Sequence, residues 1–215
     1  MITVVKLSRR KFFIFGSSAG IGAAAKASGM EKLIPTPDQT EGPFYPVLAQ
    51  KDKDFDLTQI EGKTGLAKGE QIFIQGTVVD TNGNPIEDAT VDIWQANAAG
   101  RYNHPHDSNP APKDENFQGW AIVPSGRDGA FRFKTIIPGA YPVSNSWSRP
   151  PHIHFKVSKR GYLELTTQMY FPGHELNDRD RILNAHSPKE QEVMIAKPDK
   201  DKPDTLHYRI VLKKA

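Results

Sequence analysis

The chain has 215 residues, with 28 Lys and Arg against 25 Asp and Glu and a formal net charge of +3. It contains no cysteine, which excludes structural disulfides, thiolate metal sites and cysteine nucleophiles. Gly and Pro number 17 each; together they exceed the average share of about 12%, which favours a loop-rich all-β fold over a helical bundle.

Residues 1–27 read as an export signal. "KLSRRKFFIFGSSAGIGAAAKA" places Lys6, Arg9, Arg10 and Lys11 before an apolar, small-residue run and closes on the small-x-small triplet Ala25-Lys26-Ala27. The Arg9-Arg10 pair with Phe12 close behind is the twin-arginine layout, so the expected destination is the periplasm or the exterior, reached in folded form. A protein exported folded can be loaded with a metal in the cytoplasm first. The run is short and broken by Gly and Ser, so no stable membrane association is expected once the signal is removed. Without the five cations of this segment, which has no acid, the net charge drops from +3 to about −2. The basic character belongs to the leader, no basic stripe is interleaved with aromatics, and a nucleic-acid partner is not expected.

The remaining elements follow in order. Residues 28–68, with "TPDQTEGPFYP" at 36–46, are polar, Pro-rich and aperiodic, and read as an extended arm over the surface of a domain spanning 69–215. "QIFIQGTVVD" (71–80) is a strand, Asn82-Gly83 is a hairpin-type turn, and "ATVDIWQAN" (89–97) is the returning strand. That strand sets Val91, Ile93 and Gln95 on one face and Asp92, Trp94 and Ala96 on the other. A long loop covers 98–119. "GWAIVP" and "GAFRFKTI" flank a second turn at 126–129. "PGAYPV" (138–143) is a loop, "HIHFKVS" (152–158) and "LTTQMYF" (165–171) are strands, "NDRDRIL" (177–183) is the best short helix, and "LHYRIVLKK" (206–214) closes the chain as a strand. Many short strands without helix alternation predict a β-sandwich of mostly antiparallel strands with long loops and little helix.

Chemistry concentrates in "RPPHIHFKV" (149–157). On a strand, residues two apart point the same way, so His152 and His154 share a face and both reach one metal ion, or else line a polar surface. Pro150-Pro151 stiffens the approach. No Asp or Glu lies near them in sequence, so a two-His-one-carboxylate triad has no local carboxylate. His104-Pro105-His106 is a second pair, but its proline breaks strand alternation, and it reads as solvent-facing or pocket-lining. His174, His186 and His207 are isolated. No nucleophile elbow supports a serine hydrolase. Tyr102 and Tyr141, each in a loop after a strand, read by themselves as half-buried tyrosines. A phenolate is nevertheless a hard donor suited to Fe(III).

Four segments, "GTVVDTNGNPIEDATVDIWQANAAGRYNH", "FRFKTIIPGAYPV", "WSRPPHIHF" and "LTTQMYF", resemble in sequence and order the intradiol ring-cleavage dioxygenases, above all the catalytic β chain of protocatechuate 3,4-dioxygenase. "TEGPFYP" matches the opening segment of that family, and the likeness spans about residues 36–213. The resemblance implies a non-haem Fe(III) held by Tyr102, Tyr141, His152 and His154, with Tyr141 the ligand that leaves when substrate binds. It implies O₂-dependent cleavage of a catechol between its two hydroxylated carbons, giving a cis,cis-muconate-type diacid. Arg149 would stabilise developing negative charge, and Gln168 would orient ligands or O₂ by hydrogen bonds. Trp94 reads as a core residue. The family's assemblies leave both a homo-oligomer and an α-like partner chain open. One departure stands out: Val143 occupies the position after Tyr-Pro where the protocatechuate enzymes carry Trp, so a pocket wall is smaller and the ring substituent of the substrate is not fixed by the likeness. Two other classes compete. A non-catalytic transthyretin-like sandwich binding carbohydrate or peptide fits residues 76–94 but needs no four-ligand set, and a zinc hydrolase lacks a general base.

Overall fold

The computed structural model describes residues 32–48 and 50–215. The expected export signal at 1–27 lies outside the described residues. Ten strands and one α-helix occur among those described: β1 (Gln71–Asp80), β2 (Thr90–Trp94), β3 (Trp120–Pro124), β4 (Ala130–Ile136), β5 (Tyr141–Ser144), β6 (Trp147–Arg149), β7 (His152–Ser158), β8 (Leu165–Tyr170), α1 (Pro188–Met194), β9 (Lys197–Pro198) and β10 (Thr205–Leu212). They form two four-stranded sheets, ordered β4-β1-β10-β9 and β3-β2-β7-β8, plus the separate hairpin β5-β6. This is the expected β-sandwich. All pairings are antiparallel except β1 with β10, which run parallel from Phe73↔Thr205 to Asp80↔Leu212.

Period-two alternation builds the core. β1 turns Ile72, Ile74 and Val78 inward, β4 adds Phe131 and Phe133, and β10 adds Tyr208 and Ile210. From the opposing sheet come Val91 and Ile93 of β2 and Ile153, Phe155 and Val157 of β7. Phe155 sits at the centre, 6.1 Å from Phe133 and 5.2 Å from Tyr208 between ring centroids. Fully burying each such aliphatic or aromatic side chain contributes about 1.5–3 kcal/mol. Because Ile153 and Phe155 face the core, His152 and His154 must face outward from the second sheet.

Three local expectations need correction. The Asn82-Gly83 turn does not make a hairpin of β1 and β2. It reverses the chain only as far as the Val79↔Pro85 bridge, and the chain then crosses to the other sheet, where β2 pairs with β3 and β7. The Asp80 carboxylate stabilises that reversal by accepting the Asn82 and Asn84 backbone N–H groups and the Asn84 side-chain amide. Residues 177–183 are not a helix; two short 3₁₀ turns, Asn177–Arg179 and Leu183–Ala185, flank Asp180. The α-helix lies later, at α1, behind a Ser187/Glu190 capping box with Pro188 in its first turn. Finally, "PGAYPV" is not wholly loop, since Tyr141 opens β5 opposite Arg149 of β6. No helix among the described residues is long and apolar enough to cross a membrane.

Residues 32–70 make no long strand. Part of this segment runs along β8: Gln39 N–H bonds the Thr166 carbonyl, Thr167 Oγ1 donates to the Pro37 carbonyl, and Gln168 Nε2 donates to the Thr40 carbonyl. The segment thus follows the free edge of β8, and its Phe44 and Tyr45 then pack on Tyr102 and Trp94 over the outer face of the second sheet, the face that carries the two histidines.

Candidate metal centre

His152 and His154 project from β7, while Tyr102 follows β2 and Tyr141 opens β5. The four side chains meet. Tyr102 Oη is 3.4 Å and Tyr141 Oη 3.5 Å from His152 Nε2, the two phenol rings are 5.7 Å apart edge to face, and the two imidazoles are 4.9 Å apart. These donor separations are long for hydrogen bonds. They match donors around one ion, since two ligand atoms about 2.1 Å from a metal stand ~3.0–3.4 Å from each other. Tyr102, His152 and His154 are at most 3% exposed, and Tyr141 is half-buried.

Each donor is aimed by a local cause. His152 Nδ1 donates to the Pro150 carbonyl at 2.7 Å, which fixes the tautomer and leaves the Nε2 lone pair facing both phenols. His154 stacks on Trp94 at 4.8 Å and 9°; Trp94 is buried as expected, but against His154 and Tyr102 rather than in the inter-sheet core. The Tyr102 N–H donates to Asp107 Oδ2 at 2.7 Å. Asn97 ties both tyrosine loops together: its carbonyl accepts the Gly100 and Gly139 N–H groups, and its Oδ1 accepts those of Ala99 and Arg101. Gly100 has φ +78°, and a Cβ there would lie 2.4 Å from the Ala140 carbonyl oxygen, so only glycine lets the two loops approach.

The electrostatics favour neutral donors. Burial, and next the Arg149 charge, pushes His152 well below its ordinary value and His154 down to about 3. Burial raises both tyrosines, Tyr102 well above its ordinary value. Lone pairs on two imidazoles are thus available near neutrality, and two phenols require a cation before they ionise. His154 makes no side-chain hydrogen bond among the described residues, and its Nδ1 is sealed from solvent without a partner. A buried imidazole left unpaired is costly, and a metal ion is the partner this donor set fits. No cluster of three or more His, Cys, Asp or Glu able to hold a metal occurs among the described residues; the groups that meet His152 are the Tyr102 and Tyr141 phenols.

Beside the donors lies a buried polar network. Arg149, 4% exposed, places Nε 2.9 Å and one terminal nitrogen 3.3 Å from the Asp180 carboxylate, which is fully buried. The same nitrogen donates to Gln168 Oε1 at 2.5 Å and to Tyr170 Oη at 3.1 Å. Burial opposes the guanidinium charge, but Tyr170 and Asp180 outweigh it and hold Arg149 above its ordinary value. Gln168 has both ends committed, to Arg149 and to the Thr40 carbonyl. Tyr170 Oη also reaches Gln39 Oε1 at 3.2 Å. Phe44 packs on Tyr102 at 4.9 Å. Asp180, Tyr170, Gln39, Asn97 and Phe44 were not singled out from the sequence. His104 is buried beside Phe44, His106 is exposed, and the two meet 5.3 Å apart. His174, His186 and His207 are not among the converging donors; His207 pairs with Asp199 at 2.7 Å.

A family model described as Dioxygenase matches residues 40–213. Over 192 residues the chain is 36% identical to the protocatechuate 3,4-dioxygenase β chain of Burkholderia cepacia, an alignment covering 86% of this chain and 81% of that one. It is 34% identical to a chlorocatechol 1,2-dioxygenase of Cupriavidus pinatubonensis, covering 70% of this chain and 59% of the relative. Among solved structures it is similar to the dioxygenase domain of a carbohydrate-binding fusion protein from Streptomyces sp. SirexAA-E, with TM-score 0.62, 29% identity, and coverage of 85% of this chain and all of that one. The 3-chlorocatechol 1,2-dioxygenase of Rhodococcus opacus gives TM-score 0.65 at 25% identity, covering 83% and 72% respectively.

Proposed function

The chain belongs to the intradiol ring-cleavage dioxygenase family, and from that premise we propose that it binds Fe(III) through Tyr102, Tyr141, His152 and His154 and cleaves a catechol with O₂ between its hydroxylated carbons. The observation that carries the reading is the convergence of two neutral imidazoles and two phenols on one buried point, with no carboxylate in the set. Ferric iron held by these four residues would supply an electron-poor centre beside the catechol ring.

The protein's own residues supply the rest. Tyr141 is the half-exposed donor, so it borders the open side of the site, and its phenolate oxygen is placed to accept a proton from a catechol hydroxyl on entry. Tyr102 is sealed under Phe44 and remains a fixed anchor. Arg149 is a buried cation held in one orientation, suited to stabilising negative charge as it develops on the ring. Gln168 acts through Arg149 as a positioning residue, because both ends of its amide are already engaged. The segment over β8 closes the site from solvent and strengthens these charge effects. The Arg9-Arg10 leader supports export in folded form to the periplasm or beyond; replacing both arginines by lysine would retain the protein in the cytoplasm if that route is used.

The test is spectroscopic and kinetic. Protein loaded with Fe(III) is expected to show a visible tyrosinate-to-iron band and to consume O₂ with catechols. Tyr102→Phe and Tyr141→Phe should each change that band, and an unchanged band removes that tyrosine from the set. A colourless, inert protein after loading would return the sandwich to a binding role.

A further inference from the structure

His154 is the one histidine donor that no hydrogen bond aims. His152 is fixed by the Pro150 carbonyl, whereas His154 Nδ1 is sealed without a partner among the described residues. Its orientation comes from the parallel stack on Trp94, and the Trp94 indole N–H is itself buried without a hydrogen bond. Packing alone holds that indole, so what packs on it matters. The Tyr45 ring meets Trp94 at 4.9 Å and 82°.

Tyr45 is the first member of this chain with a polar anchor. Asp92 projects from the outer face of β2, two residues before Trp94, and is only 8% exposed. A buried carboxylate requires donors, and two arrive. The Tyr45 hydroxyl donates to Oδ2 at 2.6 Å, and the indole N–H of Trp120 donates to Oδ1 at 2.7 Å. Lys156, opposite Asp92 on β7, sets its ammonium 4.5 Å from the Tyr45 ring centroid and pairs with Glu41. In "GPFYP" (42–46), Pro43 and Pro46 restrict the backbone on either side of Phe44 and Tyr45. Anchoring Tyr45 therefore also places Phe44, which lies 4.9 Å from Tyr102.

We propose that Tyr45 is a positioning residue of the metal centre: anchored on Asp92, it holds Trp94 against His154 and Phe44 against Tyr102, and so orients one imidazole and one phenol together. The inference rests on the four-donor reading above.

The full chain is tested before and after iron loading. Before loading, the His154 ring-proton resonances, identified as those missing from His154→Gln, should lie upfield because of the indole stack. They should move towards unstacked values in Tyr45→Phe and in Asp92→Asn. After loading, Tyr45→Phe should shift the visible band and lower Fe(III) affinity about tenfold, the scale of losing a support behind a metal ligand. The double variant should do no more than the larger single change, because both act through one contact. Ile74→Val, a change in the inter-sheet core, should lower stability but leave resonances and band in place. Unmoved His154 resonances in both variants, an unmoved band in Tyr45→Phe, or equal shifts in Ile74→Val would each overturn the proposal and leave iron binding intact. If the unsubstituted protein takes up no iron, the metal reading fails, and resonances that move in Tyr45→Phe would still support the hold on His154.

Discussion

Replacing Asp180 by leucine leaves the Arg149 guanidinium buried without its counter-charge. The pair is sealed, at 4% and 0% exposure, and geometrically close at 2.9 Å. Removing one partner of such a pair costs about 3–5 kcal/mol, because the remaining charge keeps its desolvation penalty and loses its compensation. At roughly 2–4 °C per kcal/mol for a domain of this size, Tm should fall by about 6–20 °C. Removing both charges relieves most of the loss, so Arg149→Met with Asp180→Leu should be much less destabilised than the sum of the single changes. Rescue stays incomplete, because Asp180 also accepts the Leu183 N–H at 3.2 Å and that donor is left unpaired. Urea and thermal unfolding of the four proteins, followed by circular dichroism, close the cycle, with an expected coupling of about 2–3 kcal/mol. A single-variant loss below about 1 kcal/mol, the scale of surface pairs, or a coupling near zero would refute the account of Arg149 as a cation held by Asp180.

Three further outcomes follow from the same structure. Arg149→Ala should keep its iron and visible band but lose about 10²–10³ in kcat, measured well below the unfolding temperature of the variant; near-normal turnover would end its proposed role. Gly100→Ala should destabilise by about 1–2 kcal/mol for the left-handed backbone alone, with an added cost from the Ala140 carbonyl, and should weaken metal binding through both tyrosine loops; equal stability and equal iron affinity would contradict this. Asp80, 2% exposed, is held below the usual carboxylate range chiefly by the Asn84 side-chain amide. Its contribution is full above the unfolded value near 3.9 and disappears as pH falls through the lower folded value, so the stability gap between wild type and Asp80→Ala should be flat from pH 7 to about 5 and narrow below about 4. A gap that persists unchanged to pH 2 would be the contrary result.

The parts of the site that were legible in the sequence are those set by short-range rules. Strand alternation put His152 and His154 on one face, and Ile153 and Phe155 in the core enforce it. The start of α1 is written in "SPKE" at 187–190, a capping box with proline in the first turn, whereas the charged run at 177–183 has the composition of a helix without forming one. That run does not propagate a helix because Asp180 turns into the interior to meet Arg149, 31 residues away. Nothing local marks Asp180 among its alternating charges, which read as a solvated surface. The same holds for the segment over β8, whose contacts with Gln168 and Tyr170 span 128 and 131 residues. A polar, proline-rich stretch without periodicity reports that it is extended, and not what it lies against. The Asn82-Gly83 turn misled for a related reason: turn chemistry fixes a reversal, while the choice of sheet for the next strand is made by burial of Val91 and Ile93.

The donors are fixed by three separate devices, and this separation has a physical consequence. The sandwich core sets the histidines, Asn97 and its two glycine contacts set the tyrosines, and the Asp180–Gln168–Tyr170 network sets the arginine. Each device is rigid for reasons of its own: close packing, satisfied backbone groups at a forced close approach, and a buried ion pair tied further to Gln168 and Tyr170. A metal or substrate arriving there meets groups that need little reordering, so the entropic cost of assembling four donors and a cation has already been met in folding. The third device reaches into the segment at 36–45 through Gln39 and Thr40, as Phe44 of the same segment does to Tyr102. Displacing that segment would uncover the histidine face and free Gln168 and Tyr170 together, while leaving the inter-sheet core of Ile153, Phe155 and Phe133 in place. Loss of the arginine's alignment is thereby separable from loss of the fold, because the residues that hold it face away from the core.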